Sequence, residues 1–153
     1  AHQAQLDNYA ESLAVEFARL FIGPRPPPAI PYASFYLSPN KTLMSDTTIA
    51  VRNRYLEADV AVQQLGSIPD DHIAIELEFL YLLTQRTIAA LEQQRRDEAE
   101  RWYRLRDDFV QAHLLKWLPQ FVENLSKAAE MEYFRGAALL LEEIGVVLSS
   151  SED

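Results

Sequence analysis

Apolar residues recur along most of this chain at three- and four-residue steps, the period of a helix that buries one face. Over residues 3–22, Leu6, Tyr9, Leu13, Phe17 and Leu20 form such a stripe, and Gly23-Pro24 ends it. Ser45 or Asp46 caps a helix over about 46–59 whose inward side is Ile49, Tyr55 and Leu56. Residues 98–115 put Trp102, Leu105, Phe109 and Ala112 on one face. Pro119 cannot sit inside a straight helix without cost, so it starts a new helix near Leu118, over about 119–129. A last helix over about 131–148 turns Phe134, Ala138, Leu141, Ile144 and Leu148 inward, and Ser149–Asp153 reads as a frayed tail. No run has the strand period and there is no internal repeat. The pattern therefore predicts an all-α fold, an irregular helical bundle in a single domain over 1–153.

Two stretches depart from the amphipathic pattern. Six of the eight prolines fall in residues 23–39, which predicts a stiff extended loop carrying the aromatics Tyr32, Phe35 and Tyr36. Those rings either pin the loop to the core or form a wall for a bound peptide. The second stretch begins Pro69-Asp70-Asp71-His72, where a Pro and two Asp open a helix that runs from Asp70 or Asp71 to about 94. Ile73, Ile75, Leu77, Phe79, Leu80, Tyr81, Leu82 and Leu83 make it apolar nearly all round, as a central buried helix is. Asp71, His72 and Glu76 nevertheless lie in its first turns, and His72 and Glu76, four apart, share a face. The connector 60–70 contains a hinge-capable point at Gly66-Ser67. Glu92–Glu98, polar on all sides, marks a helix–helix turn or an exposed extension.

Composition narrows the function. A chain of 153 residues can bury a real core, and it has no run of about 18 apolar residues to span a membrane and no signal-peptide pattern at its start. Zero cysteines exclude disulfides, thiolate metal sites and Cys nucleophiles, which fits the cytoplasm. The net charge of −9 argues against nucleic acid and anionic membranes and favours basic partners.

The available chemistry points to binding more than to catalysis. Four scattered glycines offer no phosphate cradle, and there is no His-Glu-x-x-His zinc helix. His72 and Glu76 could supply two metal ligands, with Asp71 or His113 as a third, and Asp71, His72 and Glu76 are the set that suggests a metal-dependent hydrolase. As a binding site the same residues read differently. Asp71 and Glu76 can accept hydrogen bonds from a guanidinium, and Phe17, Leu20 and Phe21 can line a groove for an apolar segment. A helical module that binds a folded enzyme subunit is the remaining alternative.

Five blocks carry a resemblance: Arg19-Leu20-Phe21-Ile22-Gly23-Pro24, Pro31-Tyr32-Ala33-Ser34-Phe35-Tyr36, Thr48-Ile49-Ala50-Val51-Arg52, Pro69-Asp70-Asp71-His72 with Glu76 to Phe79, and His113-Leu114-Leu115-Lys116-Trp117-Leu118-Pro119-Gln120-Phe121. In this order and spacing, over about residues 17–135, they resemble the TorD/DmsD/NarJ family of chaperones for molybdenum-containing redox enzymes. The resemblance implies an all-helical cytoplasmic protein that is not an enzyme and needs no cofactor, although weak nucleotide binding has been suggested for some members. Its implied partners are the twin-arginine signal peptide and the apo form of a molybdenum-containing reductase or dehydrogenase, held from export until molybdopterin and iron–sulfur clusters are in place. Peptide-binding positions carry over to Phe17, Leu20, Phe21, Tyr32, Tyr36, Pro69, Asp71 and His72, with Glu76 assisting Asp71. Members often have Trp at the loop positions, and Arg25 stands where a relative has Trp. Members also carry about 50 further residues, as helices, before the first block, against a usual domain of about 100–150. Either such N-terminal helices lie beyond this stretch or the chain is a short member of the family. Without them part of the core would be uncovered, which favours a homodimer or segment exchange.

Overall fold

The computed structural model describes residues 2–24, 26–61 and 68–150, and among them the secondary structure is helical, with one isolated bridge. The helices are α1 (His2–Phe21), α2 (Ala33–Leu37), α3 (Asp46–Glu57), α4 (Ile73–Glu92), α5 (Arg96–Phe109), a π-helical turn (Val110–Leu114), α6 (Leu115–Ala128) and α7 (Glu132–Ser149). Two compact units are formed, Tyr32–Trp117 and the residues on either side of it, Ala1–Pro31 with Leu118–Asp153.

The flanking unit is organised by polar side chains of α1. Glu16, itself buried, accepts from the backbone N–H groups of Glu130 and Met131, the latter at 2.9 Å, where α7 begins. Arg19 donates to the carbonyl of Ala128 at 2.8 Å, where α6 ends, and pairs with Glu16 at 3.2 Å. An anion thus meets a helix N-terminus and a cation a helix C-terminus, as the helix dipoles require. Phe21 packs edge-on against Phe134 with ring centroids 5.9 Å apart, and Leu20 is fully buried. The expected stripe of α1 is only partly covered, because Leu6, Tyr9 and Phe17 remain about half exposed. Phe134, Ala138 and Leu148 of α7 face inward as expected, while Leu139, Leu140, Val146 and Val147 form an exposed apolar side.

In the central unit α4 and α5 form a helical hairpin. The polar stretch after Glu92 is a short turn in which Gln94 adopts a left-handed φ of 57°. Tyr55, Phe79 and Phe109 make the aromatic core, with Tyr55–Phe79 at 4.6 Å and Phe79–Phe109 at 5.1 Å between centroids. Arg86 and Arg101 clamp the Trp102 ring, at 4.8 and 4.5 Å, and reach the carbonyls of Ala58 and Glu57 at the end of α3.

Several expectations need correction here. The proline loop is not extended throughout, since its Pro-free stretch forms α2. On α3 the buried stripe is Thr48, Val51 and Tyr55, whereas Ile49 and Leu56 are more than half exposed. The reason is polar. Thr48, Arg52 and Tyr55 all bond to Asp70 or Asp71, which draws that face inward. α4 is not buried all round, because Tyr81 and Leu91 face outward. It also begins at Ile73 rather than at Asp70 or Asp71. Pro119 does not start a helix but lies inside α6. The π turn upstream, where the Leu115 N–H donates to Val110 O five residues back, loosens the register in which the proline ring would clash.

Glu16 gives a stability test. Burial alone would raise its carboxyl pKa, but the Glu130 and Met131 N–H groups and Arg19 bring it below the ordinary value. Its contribution is therefore present above pH 4.5 and is lost as the pH falls through the depressed value. Glu16→Ala should cost about 2–3 kcal/mol in urea denaturation at pH 7. The gap to wild type should narrow in acid.

Candidate functional site

The site is built around the segment that precedes α4. His72 caps that helix, its Nδ1 accepting from the Ala74 N–H at 3.1 Å, so the two aspartates before it are free to serve other elements. Asp71 is fully buried. Its Oδ2 accepts from the Ser34 N–H at 2.7 Å, its Oδ1 from the Thr48 hydroxyl at 2.9 Å, and its carbonyl from the Ala33 N–H at 3.0 Å. The first-turn donors of α2 therefore have a remote cap, which matters because Tyr32, at the N-cap position, supplies none. Asp70 is buried against Arg52, and its carbonyl accepts from the Tyr55 hydroxyl at 2.8 Å.

This arrangement brings the loop aromatics to His72. Tyr32 and His72 form an isolated antiparallel bridge, their rings edge to face at 5.0 Å. One turn along α2, Tyr36 stacks on Trp117 with centroids 5.5 Å apart and planes at 27°. Tyr32, Tyr36, Pro69 and His72 are all partly exposed, so they can touch a ligand.

Glu76 lies beneath, fully buried. Its Oε1 meets His113 Nε2 at 2.7 Å, and its Oε2 accepts from Trp117 Nε1 at 3.1 Å. Burial raises the Glu76 pKa, opposed by His113 and Trp117 and reinforced by the charge of Asp71. Burial likewise lowers that of His72, against the pull of Asp71. Tyr55 is pushed well above the ordinary phenol range by burial and by the carboxylates of Glu76, Asp70 and Asp71.

Of the residues singled out from the sequence, Tyr32, Tyr36, Pro69, Asp71, His72 and Glu76 gather in the central unit. Phe17, Leu20 and Phe21 belong to the flanking unit, where Phe17 and Phe21 pack 5.1 Å apart. Gly66-Ser67 and Arg25 lie outside the described residues. His72 and Glu76 do not share a helix face as expected, because His72 is the cap and Glu76 turns to His113 and Trp117. Asp71, His72 and Glu76 accordingly engage three different sets of partners, and among the described residues no group of three or more His, Cys, Asp or Glu is placed to hold a metal ion. Sequence reasoning missed Ser34, Thr48 and Trp117 as parts of the site. Only the four-residue spacing of His113 and Trp117 hinted at a shared role.

Residues 2–123 match the family described as nitrate reductase delta subunit. The chain is 30% identical over 129 residues to the chaperone protein TorD of Vibrio parahaemolyticus, covering 84% of this chain and 59% of that protein. It is 28% identical over 130 residues to the probable Tat proofreading chaperone DmsD of Haemophilus influenzae, covering 85% and 57%. It is 33% identical to the chaperone protein TorD of Vibrio vulnificus, covering 84% and 59%. The chain thus spans less than two thirds of the length of these relatives. No helix among the described residues is long and apolar enough to cross a membrane.

Two substitutions at the Asp71 cluster should have opposite effects. Asp71→Ala leaves the Ser34 N–H and the Thr48 hydroxyl buried without their acceptor and should cost about 3 kcal/mol in chemical denaturation. The Ser34 hydroxyl is buried with no hydrogen-bond partner, so Ser34→Ala should be neutral or stabilise by up to about 1 kcal/mol.

Proposed function

The chain belongs to the nitrate reductase delta subunit family, and from that premise we propose that it is a chaperone rather than an enzyme. It binds the twin-arginine signal peptide of a molybdopterin-containing oxidoreductase and holds the precursor while cofactor is inserted. The observation that carries this reading is a set of partly exposed rings, Tyr32 against His72 and Tyr36 one turn along on Trp117, beside buried carboxylates in a chain of net charge −9. Aromatic rings with an acidic background suit a basic, partly apolar peptide. The names of the similar proteins, a TorD chaperone and a Tat proofreading chaperone, support it. A leader is met before export, so the cytoplasm is the proposed place of action.

Within the site, Tyr32, Tyr36, Pro69 and His72 are the proposed contacts. Asp71 and Glu76, both buried, act from behind: they set an attractive potential for the arginine pair and hold the elements that carry the rings. Phe17, half exposed, with Phe21 and the buried Leu20 beneath, is the proposed apolar contact of the flanking unit. A metal-dependent hydrolase at Asp71, His72 and Glu76 is not favoured, since the three side chains are committed to separate partners.

Isothermal titration with a synthetic peptide carrying two consecutive arginines and an apolar stretch tests this reading. Tyr36→Ala and His72→Ala should each weaken binding about tenfold. Raising salt from about 50 to about 500 mM, which shortens the Debye length from about 14 to about 4 Å, should weaken it further. Unchanged affinity in the double variant would remove the site from consideration. Equal binding of a client whose leader has been deleted would favour recognition of the folded subunit instead.

A further inference from the structure

Tyr36 rides on a helix of five residues, which cannot hold its own conformation, so the orientation of its ring depends on what it stacks against. That surface is Trp117, fully buried, with its plane tilted 27° from the tyrosine's. The only polar atom of the indole, Nε1, donates to Glu76 Oε2 and so sets the rotation of the ring. Glu76 in turn is held by a second contact on its other oxygen, from His113. His113 sits on the π turn, an irregularity that commonly re-aims a side chain at a functional site.

We propose that Glu76, His113 and Trp117 are positioning residues of the peptide site: a buried carboxylate, held by an imidazole, fixes the indole on which the contacting ring of Tyr36 is laid. The inference rests on the peptide-binding reading above, gives Glu76 a positioning role and adds two side chains, His113 and Trp117, that never touch the peptide. It also makes the site sensitive to protonation, because the carboxylate–imidazole pair lies one ring away from the contact surface. The charged groups that bear on Glu76 are His113 on the π turn and Asp71 ahead of α4, and Tyr55 on α3 feels Glu76 in return. A network that served folding alone would change stability without moving peptide affinity in well-folded variants.

Trp102 and Trp117 are the only tryptophans, so Trp102→Phe leaves Trp117 as the sole indole reporter. In that parent chain, without peptide, Trp117 emission should change with pH as the Glu76 carboxylate, whose pKa burial raises, takes up its proton. Tyr36→Leu should shift the emission and leave the titration in place. Glu76→Gln keeps an acceptor for Trp117 and a donor for His113 and loses only the charge, so it should flatten the pH response and weaken affinity for the two-arginine peptide less than Glu76→Leu does. Glu76→Leu and His113→Phe should each weaken that affinity about 5- to 10-fold while retaining helical circular dichroism. Should Glu76→Leu fail to fold, His113→Phe and Trp117→Phe decide. Unchanged affinity in the folded variants, or a pH-independent parent emission, overturns the positioning role and leaves the functional reading standing. A parent chain that binds no such peptide overturns both.

Discussion

The central unit depends on one buried carboxylate. Among the described residues no cation pairs with Asp71. It is satisfied by a backbone N–H from α2 and a hydroxyl from α3, while its own carbonyl takes a second N–H from α2. A charge removed from water is tolerable only when hydrogen bonds replace its hydration, and here those bonds come from elements distant in sequence. α2, too short to persist alone, exists because its first-turn donors find this acceptor. Once α2 is held there, the bridge between Tyr32 and His72 follows, and with it the placement of both tyrosines.

Glu76 repeats the principle one turn into α4. A helix as apolar as this one would be expected to bury hydrocarbon at every inward position, yet the most deeply buried residue of its first turns is a carboxylate. Its two oxygens are used by an imidazole and an indole. Polar networks of this kind contribute less to stability than apolar packing of the same volume, and they specify geometry more sharply. The cost is sensible where a surface must present rings in fixed orientation. The aromatic core of Tyr55, Phe79 and Phe109 behind the network supplies the apolar burial.

The flanking unit solves a different problem with similar means. A single pair of α1 side chains, Glu16 and Arg19, answers both helix ends at the corner between α6 and α7. Large apolar residues remain exposed on α1 and α7, among them Val15, Phe17, Leu139 and Val147. Such faces suit the proposed role of binding another polypeptide.

The helical periods of α1, α4, α5 and α7, the stop at Gly23-Pro24 and the cap at Ser45 are local properties. Side-chain spacing, capping chemistry and proline sterics act within a few residues, so they were legible in the linear chain. The acidic cluster at Pro69–His72 was legible too, as an anomaly at the mouth of an apolar helix. The sequence could not disclose which partner each carboxylate takes: Ser34 is 37 residues from Asp71, and His113 is 37 from Glu76. Nor could it disclose that α3 would turn its threonine and tyrosine inward in place of Ile49 and Leu56, or that a π turn would carry the chain through Pro119. Those outcomes are set by long-range satisfaction of buried polar groups, a quantity defined only when the elements are packed. The chain by itself determined most of the helices and which charges are unusual; the tertiary structure decided α2 and what those charges hold, because both depend on partners distant in sequence.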